Sequence, residues 1–181
     1  FTDRVDDGAN LDTLIYHLRD LKLTGPPGEL YSYQNVAYSL TAKIIEAATK
    51  KSYAEIMSQE VFKPLDMTDA SMTYDELVNN DHKTQPHVYS RKGWKAMRIS
   101  QTYYNVGPAG GVNASISDIT RFLRALNNPS DDFLKSETLD EIFKPYVKAT
   151  ARNRNFRRWK RSKGSYYGLG WRVLTFKDDT V

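Results

Sequence analysis

The chain has 181 residues, 40% hydrophobic and 27% charged, which suits one domain with a core or one lobe of a larger protein and argues against wholesale disorder. It contains no Cys, so disulfide scaffolds, thiolate zinc sites and Cys nucleophiles are removed together. No apolar run approaches the ~18 residues needed to span a bilayer, and Phe1-Thr2-Asp3-Arg4 carries no signal-peptide pattern. The start on Phe rather than Met suggests a processed or trimmed product. The net charge of +4 hides an asymmetry: Lys144–Lys163 holds nine basic residues and no acid, while the rest carries 17 basic and 22 acidic residues, a net of −5.

Leu11, Leu14, Ile15, Leu18 and Leu21 recur at helical spacing and predict an amphipathic helix over 10–22. Thr24-Gly25-Pro26-Pro27-Gly28 ends it, because Pro lacks an amide donor and Gly takes turn conformations. A second helix is predicted over 36–50, with Val36, Leu40, Ile44 and Ala47 on one face. Ser52 opens a third, with Glu55 completing a capping box; it should stop at Lys63, before Pro64. A short helix is expected near Tyr74–Val78. Residues 79–110 lack a clean period and read as loop, with a short hairpin around Val88–Ile99. Helices follow from Ser115 or Ser117 to Asn127 and over Ser136–Phe143. Tyr167, Leu169, Trp171 and Val173 alternate as in a strand, which would need a sheet to pair with.

Tyr31-Ser32-Tyr33-Gln34-Asn35 precedes the second helix. In an extended segment Tyr33 and Asn35, two apart, share a face, so a phenol and a carboxamide could converge on one pocket. The phenol can carry a proton and the amide can donate to a substrate. The plainer alternative makes Asn35 the helix N-cap and Tyr33 a half-buried aromatic.

The run Pro26-Pro27-Gly28-Glu29-Leu30-Tyr31-Ser32-Tyr33-Gln34-Asn35-Val36-Ala37-Tyr38 with Ile44-Ile45-Glu46 resembles the middle motif region of the serine β-lactamase and penicillin-binding protein superfamily. The branch it resembles is that of class C β-lactamases, D-Ala-D-Ala carboxypeptidases and related esterases. Phe62-Lys63-Pro64-Leu65-Asp66-Met67 is similar to that family's Pro-Leu-Gly-Met turn, with Asp66 in place of Gly. Pro108-Ala109-Gly110-Gly111-Val112, followed by Ser115, Asp118 and Phe122, is similar to its Gly-Gly loop and next helix. Tyr167-Gly168-Leu169-Gly170-Trp171 is similar to the strand that enters its central sheet.

The resemblance implies that Tyr33 is a catalytic proton carrier, that Asn35 orients the substrate amide, and that Gly110 and Gly111 form a tight turn at the site mouth. It also implies a Ser-x-x-Lys nucleophile motif and a Lys-Thr-Gly or His-x-Gly motif, and neither occurs. Ser39 has Lys43 at four positions rather than three, and His17, His82 and His87 lack the glycine. In the family's order these motifs fall before residue 1 and after residue 181. The chain is therefore expected to be the central part of a longer serine hydrolase, inactive alone. Gln34 stands where the family usually has Ser.

The basic segment 144–163, interleaved with Tyr146, Phe156 and Trp159, could meet nucleic acid or anionic lipid, or be a solvated face. The solvated face is preferred, and no nucleic acid is expected. Asp81, His82 and His87 do not make the three or four ligands a zinc site needs, and Gly110-Gly111 lacks the Gly-Lys-Ser/Thr of a phosphate loop; no metal or cofactor is expected. The expected fold is mainly α: a helical lobe of the β-lactamase/transpeptidase-like fold over 1–143, a basic linker over 144–165, and a strand over 166–176 belonging to a partner antiparallel sheet. The expected function is acyl-enzyme hydrolysis of a D-Ala-D-Ala peptide, a β-lactam or a small ester, in the periplasm or cell envelope. The alternative is a non-catalytic binding domain that lost the nucleophile, with nucleic-acid binding through 144–163 a distant third. The expected partners are a small-molecule or peptide substrate and the sheet segments of the same protein on either side; oligomeric state is not readable.

Overall fold

The computed structural model describes residues 2–128, 133–149, 162–176 and 179–180. They fall into two compact units, Phe1–Leu21 with Gln34–Leu123, and Lys22–Tyr33 with Arg124–Val181.

The first unit is helical. Its elements are α1 (Thr2–Asp6), α2 (Leu11–Leu18), α3 (Asn35–Thr49), α4 (Tyr53–Ile56), α5 (Tyr74–Val78), α6 (Gly107–Gly110) and α7 (Ile116–Asn127), of which residues 116–123 belong to this unit. Helix α4 continues as a π-helical stretch, Met57–Phe62, and a 3₁₀ turn, Thr102–Val106, leads into α6. The expected helix over 10–22 is shorter than its apolar period suggests. Asn10 caps it through the Thr13 amide, but the chain leaves helical geometry after Arg19.

Two apolar clusters hold the unit. Val5, Leu14, Val36 and Val106 bring α1, α2, α3 and the 3₁₀ turn together, with Ala9 and Leu18 packed against them. Phe62, Met67 and Met72 form the second, backed by Tyr53, Met57, Leu65 and Phe122. Asp66 sits at φ 54°, the left-handed region that favours glycine. That accounts for the Gly of the similar family turn; Asp tolerates the conformation better than most side chains. Its carboxylate lies 3.7 Å from Arg121, which also meets the buried Asp118 at 3.3 Å.

The expected hairpin is present as β1 (His87–Ser90) and β2 (Gly93–Ala96), antiparallel, with Tyr89 opposite Trp94. Within 79–110, the helical turns at 102–110 correct the reading of that stretch as loop.

The second unit contains α8 (Ser136–Ile142) and a four-stranded antiparallel sheet: β3 (Val147–Lys148), β4 (Ser162–Tyr167), β5 (Arg172–Phe176) and β6 (Asp179–Thr180), in that order. The single strand expected over 166–176 is thus corrected to two strands joined by a turn. Tyr167 ends β4, Leu169 lies in the turn, and Val173 returns on β5, where it pairs with Tyr166. Gly168 makes the turn possible, since a Cβ there would stand 2.7 Å from the Ile142 carbonyl oxygen and 3.0 Å from that of Lys144. Gly170 takes φ 83°. Trp171 then stacks edge-on against Phe143, centroids 5.2 Å apart. Within the basic segment, Arg152, Arg154, Arg157, Arg158, Lys160 and Arg161 lie outside the described residues. Lys144 pairs with Glu141 at 3.4 Å.

Candidate active site

Helix α3 presents Asn35 at its first turn, but not as the cap. The cap is Gln34, whose extended backbone (φ −146°, ψ 109°) precedes the helix and whose side-chain oxygen accepts from the Val36 amide at 3.4 Å. The cap reading of Asn35 is therefore overturned, and Gln34 gains a structural reason for its place. Asn35 instead donates from Nδ2 to the Tyr103 hydroxyl at 3.2 Å. A neutral hydrogen bond of this kind contributes about 0.5–1.5 kcal/mol net, enough to hold a half-buried carboxamide in one orientation. Beneath it, a crevice lined by Val5, Gln34, Asn35, Val36, Tyr103 and Val106 has no room for a water molecule.

Tyr103 comes from the 3₁₀ turn, and the glycines fix where its ring can lie. A Cβ on Gly110 would stand 2.9 Å from Tyr103 Cε1, so the ring occupies the space that the missing side chain leaves. Gly111 closes the α6 turn by donating its amide to the Gly107 carbonyl at 2.7 Å. A Cβ on Gly111 would fall 2.8 Å from Gly107 Cα, a backbone atom that cannot step aside. Beyond the glycines, Asn113 pins the chain: its Oδ1 accepts from the Tyr104 hydroxyl at 3.0 Å, and its Nδ2 donates to Ser71 Oγ at 3.3 Å. On the other side, Asn105 donates to the Ala9 carbonyl at 3.1 Å. The fold thus brings Asn35 and Gly110 together through Tyr103. Sequence reasoning missed Tyr103, and no local signal marks it, since its partner is 68 positions away.

Tyr33 belongs to the second unit and Asn35 to the first. Tyr33 is 59% exposed, whereas Tyr31 two residues earlier has its hydroxyl buried and its ring 4.5 Å from that of Tyr167. Burial pushes the Tyr31 phenol up, and the nearby positive charge of Arg172 only partly offsets this. The Tyr31 hydroxyl makes no hydrogen bond of good geometry, so Arg172 acts on it mainly through its field. Of the two tyrosines flanking Ser32, Tyr33 is the one whose side chain is open to solvent.

The serine with a lysine nearest to motif spacing is not available for chemistry. Ser39 is fully buried and donates to the Asn35 carbonyl at 2.8 Å. Lys43 is paired with Asp12 at 2.8 Å, and that hydrogen bond holds its ammonium above the usual lysine range. No group of three or more His, Asp or Glu side chains converges among the described residues, and His82 and His87 are exposed. No helix of the described residues is long and apolar enough to cross a membrane.

Comparison with known proteins bears on the family and the fold. Penicillin-binding protein 4* of Bacillus subtilis is 28% identical over 155 residues, covering 80% of this chain and 32% of that protein. The octameric penicillin-binding protein homologue from Pyrococcus abyssi superposes with a TM-score of 0.78 at 21% identity, over 94% of this chain and 37% of that one. A D-stereospecific amidohydrolase from Streptomyces sp. superposes with a TM-score of 0.71 at 17% identity, over 98% of this chain and 56% of that one. At these identities the superpositions show a shared fold. The chain spans a third or less of the length of the curated relatives it matches. The beta-lactamase family model matches residues 2–179, and the chain belongs to that family.

Proposed function

We propose that the chain is the central part of a serine hydrolase that works through an acyl-enzyme on a D-Ala-D-Ala peptide, a β-lactam or a small ester. The observation that carries the reading is the placement of Asn35. Its carboxamide is passed over as a cap, half-buried and held by Tyr103, which suits an amide that orients a substrate carbonyl. In this reading Tyr33 carries the proton, Asn35 positions the substrate, and Gly110 and Gly111 shape the wall beside Tyr103. The nucleophilic Ser and its Lys would come from segments of the parent protein outside these 181 residues, as would the rest of the sheet. Splitting amide or ester cleavage through a covalent intermediate lowers each barrier, provided that a base activates the serine. Family membership supports the hydrolase class, and the likeness to a D-stereospecific amidohydrolase favours substrates with a D-configured residue. A cell-envelope location would follow from such a substrate.

A second reading is a non-catalytic relative, in keeping with the lack of any Ser-x-x-Lys within these 181 residues. The two separate in one experiment on the full-length parent protein. Fluorescent-penicillin labelling and D-alanyl-peptide hydrolysis are measured for wild type and for Tyr33→Phe, with far-UV spectra to establish folding. The hydrolase reading expects labelling of the parent, none of the 181-residue chain, and a loss of about 10²–10⁴-fold in acylation with Tyr33→Phe. A parent that is neither labelled nor active on peptide or ester would establish the binding domain instead. Equal acylation by folded Tyr33→Phe would remove Tyr33 from the mechanism.

A further inference from the structure

The β1–β2 hairpin has a composition that the hydrolase reading does not use. From His82 to Ser117 the sequence contains five cations, Lys83, Arg91, Lys92, Lys95 and Arg98, and no acid. Four of them lie in the hairpin or within two residues of its end. The same short stretch exposes large apolar groups: Trp94 is 72% exposed, Tyr89 67%, Met97 50% and Val88 44%. A two-stranded ribbon with no buried face has little to hold it beyond its own ladder and cross-strand pairs. Here the main pair is Tyr89 with Trp94, directly opposite and edge-on, with centroids 5.3 Å apart.

We propose that this hairpin docks the protein onto a phospholipid bilayer carrying anionic headgroups, with Trp94 and Tyr89 seated at the headgroup level. Tyr and Trp combine an apolar body with a polar tip, the chemistry that favours the membrane–water boundary. Arg91 and Lys92 form the turn between Ser90 and Gly93, so the positive charge is concentrated at the tip. Lys95 stands opposite Val88 on the face away from the aromatic pair. Apolar side chains on both faces, with Arg91 and Lys92 at the tip and Lys95 beside Val88, make a wedge suited to entering a headgroup layer. A nucleic acid would ask for something else, a platform on which bases stack in parallel. The Tyr89 and Trp94 ring planes are 64° apart, and Val88 and Met97 offer bases no stacking surface.

The test uses the full-length parent protein in co-sedimentation with vesicles of equal phosphatidylglycerol and phosphatidylcholine, and with phosphatidylcholine alone. Binding is expected to the mixed vesicles and not to the neutral ones. Each basic residue near an anionic surface accounts for about fivefold in partitioning, so Arg91→Glu with Lys92→Glu should abolish binding at low salt. Trp94→Ala should lower it by about tenfold through the lost apolar burial. Arg157→Ala with Arg158→Ala, in the other basic stretch, should retain hairpin-driven binding. All these positions are exposed or lie outside the described residues, and far-UV spectra check each variant's fold. Retained binding in both hairpin variants, loss in the Arg157/Arg158 variant alone, equal binding to neutral vesicles, or no vesicle binding beside tight binding to polyuridylate would each overturn the proposal.

Discussion

Helices α3 and α4 start only eighteen residues apart, and their N-termini are built on different principles. At α4 everything is local. Ser52 Oγ accepts from the Glu55 amide at 3.3 Å, and Glu55 Oε2 accepts from the Ser52 amide at 2.8 Å. At α3 the better capping residue, Asn35, is one position too far along. A long Gln34 side chain serves in its stead at 3.4 Å, while the Asn35 amide is held by Tyr103. A residue whose best local use is passed over is being held by something remote. Such remote holding sets Asn35 apart from a residue that merely caps its own helix.

The largest expected effect strikes that remote side. Gly111→Ala would push a Cβ to 2.8 Å from Gly107 Cα, and the only relief is to open the turn that sets the position of Tyr103. Overpacking against backbone of this kind costs about 1–3 kcal/mol, read as a lowered Tm and denaturant midpoint. Gly110→Ala meets only the edge of the Tyr103 ring, which can swing away, so it should cost less stability while disturbing Asn35 more. If both alanines were neutral, the glycines would not position Tyr103.

The caps come next. Ser52→Ala removes half of a complete box and should cost about 1 kcal/mol. Gln34→Ala removes one long hydrogen bond from a half-buried site and should cost only a few tenths of a kcal/mol, towards the weak end for hydrogen bonds. Denaturant titration of the two variants measures the contrast directly; equal losses would mean that α3 is capped as firmly as α4.

The same division explains what could be read in the sequence. The Ser52–Glu55 box lies within four residues, and α3 and α7 stand where their apolar periods put them, although the face expected for α3 does not hold: it buries Val36, Ser39 and Ala42, while Ile44 is 68% exposed. Those elements were legible. The 3₁₀ turn and α6 were not, because Gly107-Pro108-Ala109-Gly110 has weak helix propensity and is flanked by Asn105, which bonds to Ala9, and Asn113, which bonds to Ser71, both far away in sequence. The alternation from Tyr167 to Val173 misled for a related reason. Period two persists across the turn, and only the close approach of Gly168 to the Ile142 and Lys144 carbonyls reveals the reversal. Tyr33 and Asn35 are candidates through family resemblance, whereas Tyr103 as the partner of Asn35 required the fold.

A smaller effect tests the remote bond itself. In a double-mutant cycle, Asn35→Ala and Tyr103→Phe each break the 3.2 Å hydrogen bond, and the double variant breaks it once. The expected coupling is about 0.5–1 kcal/mol, as for contacting polar side chains that are partly exposed. Additive losses would show that Asn35 is oriented by something other than Tyr103, and the likeness drawn between a passed-over cap and a functional residue would fail at this site.

The smallest effect is a pH dependence confined to the local side. The Ser52 hydroxyl and amide both donate to the Glu55 carboxylate and hold its pKa below the usual carboxylate range. A depressed folded-state pKa adds stability that is fully present above the unfolded value, about 4.3 for Glu, and is lost as pH falls through the lower folded value. Glu55→Gln keeps an acceptor oxygen but removes the titration. The variant should therefore melt slightly below wild type at neutral pH, and the gap should close as the pH drops through the acid range. Asn35→Asp would install a new carboxylate at α3, near the positive helix end but without a box to accept from, and its own acid dependence should be weaker. A gap between wild type and Glu55→Gln that stays constant from neutral to strongly acid pH would show that the carboxylate's charge contributes nothing to the α4 cap, leaving the hydroxyl of Ser52 to do the capping alone.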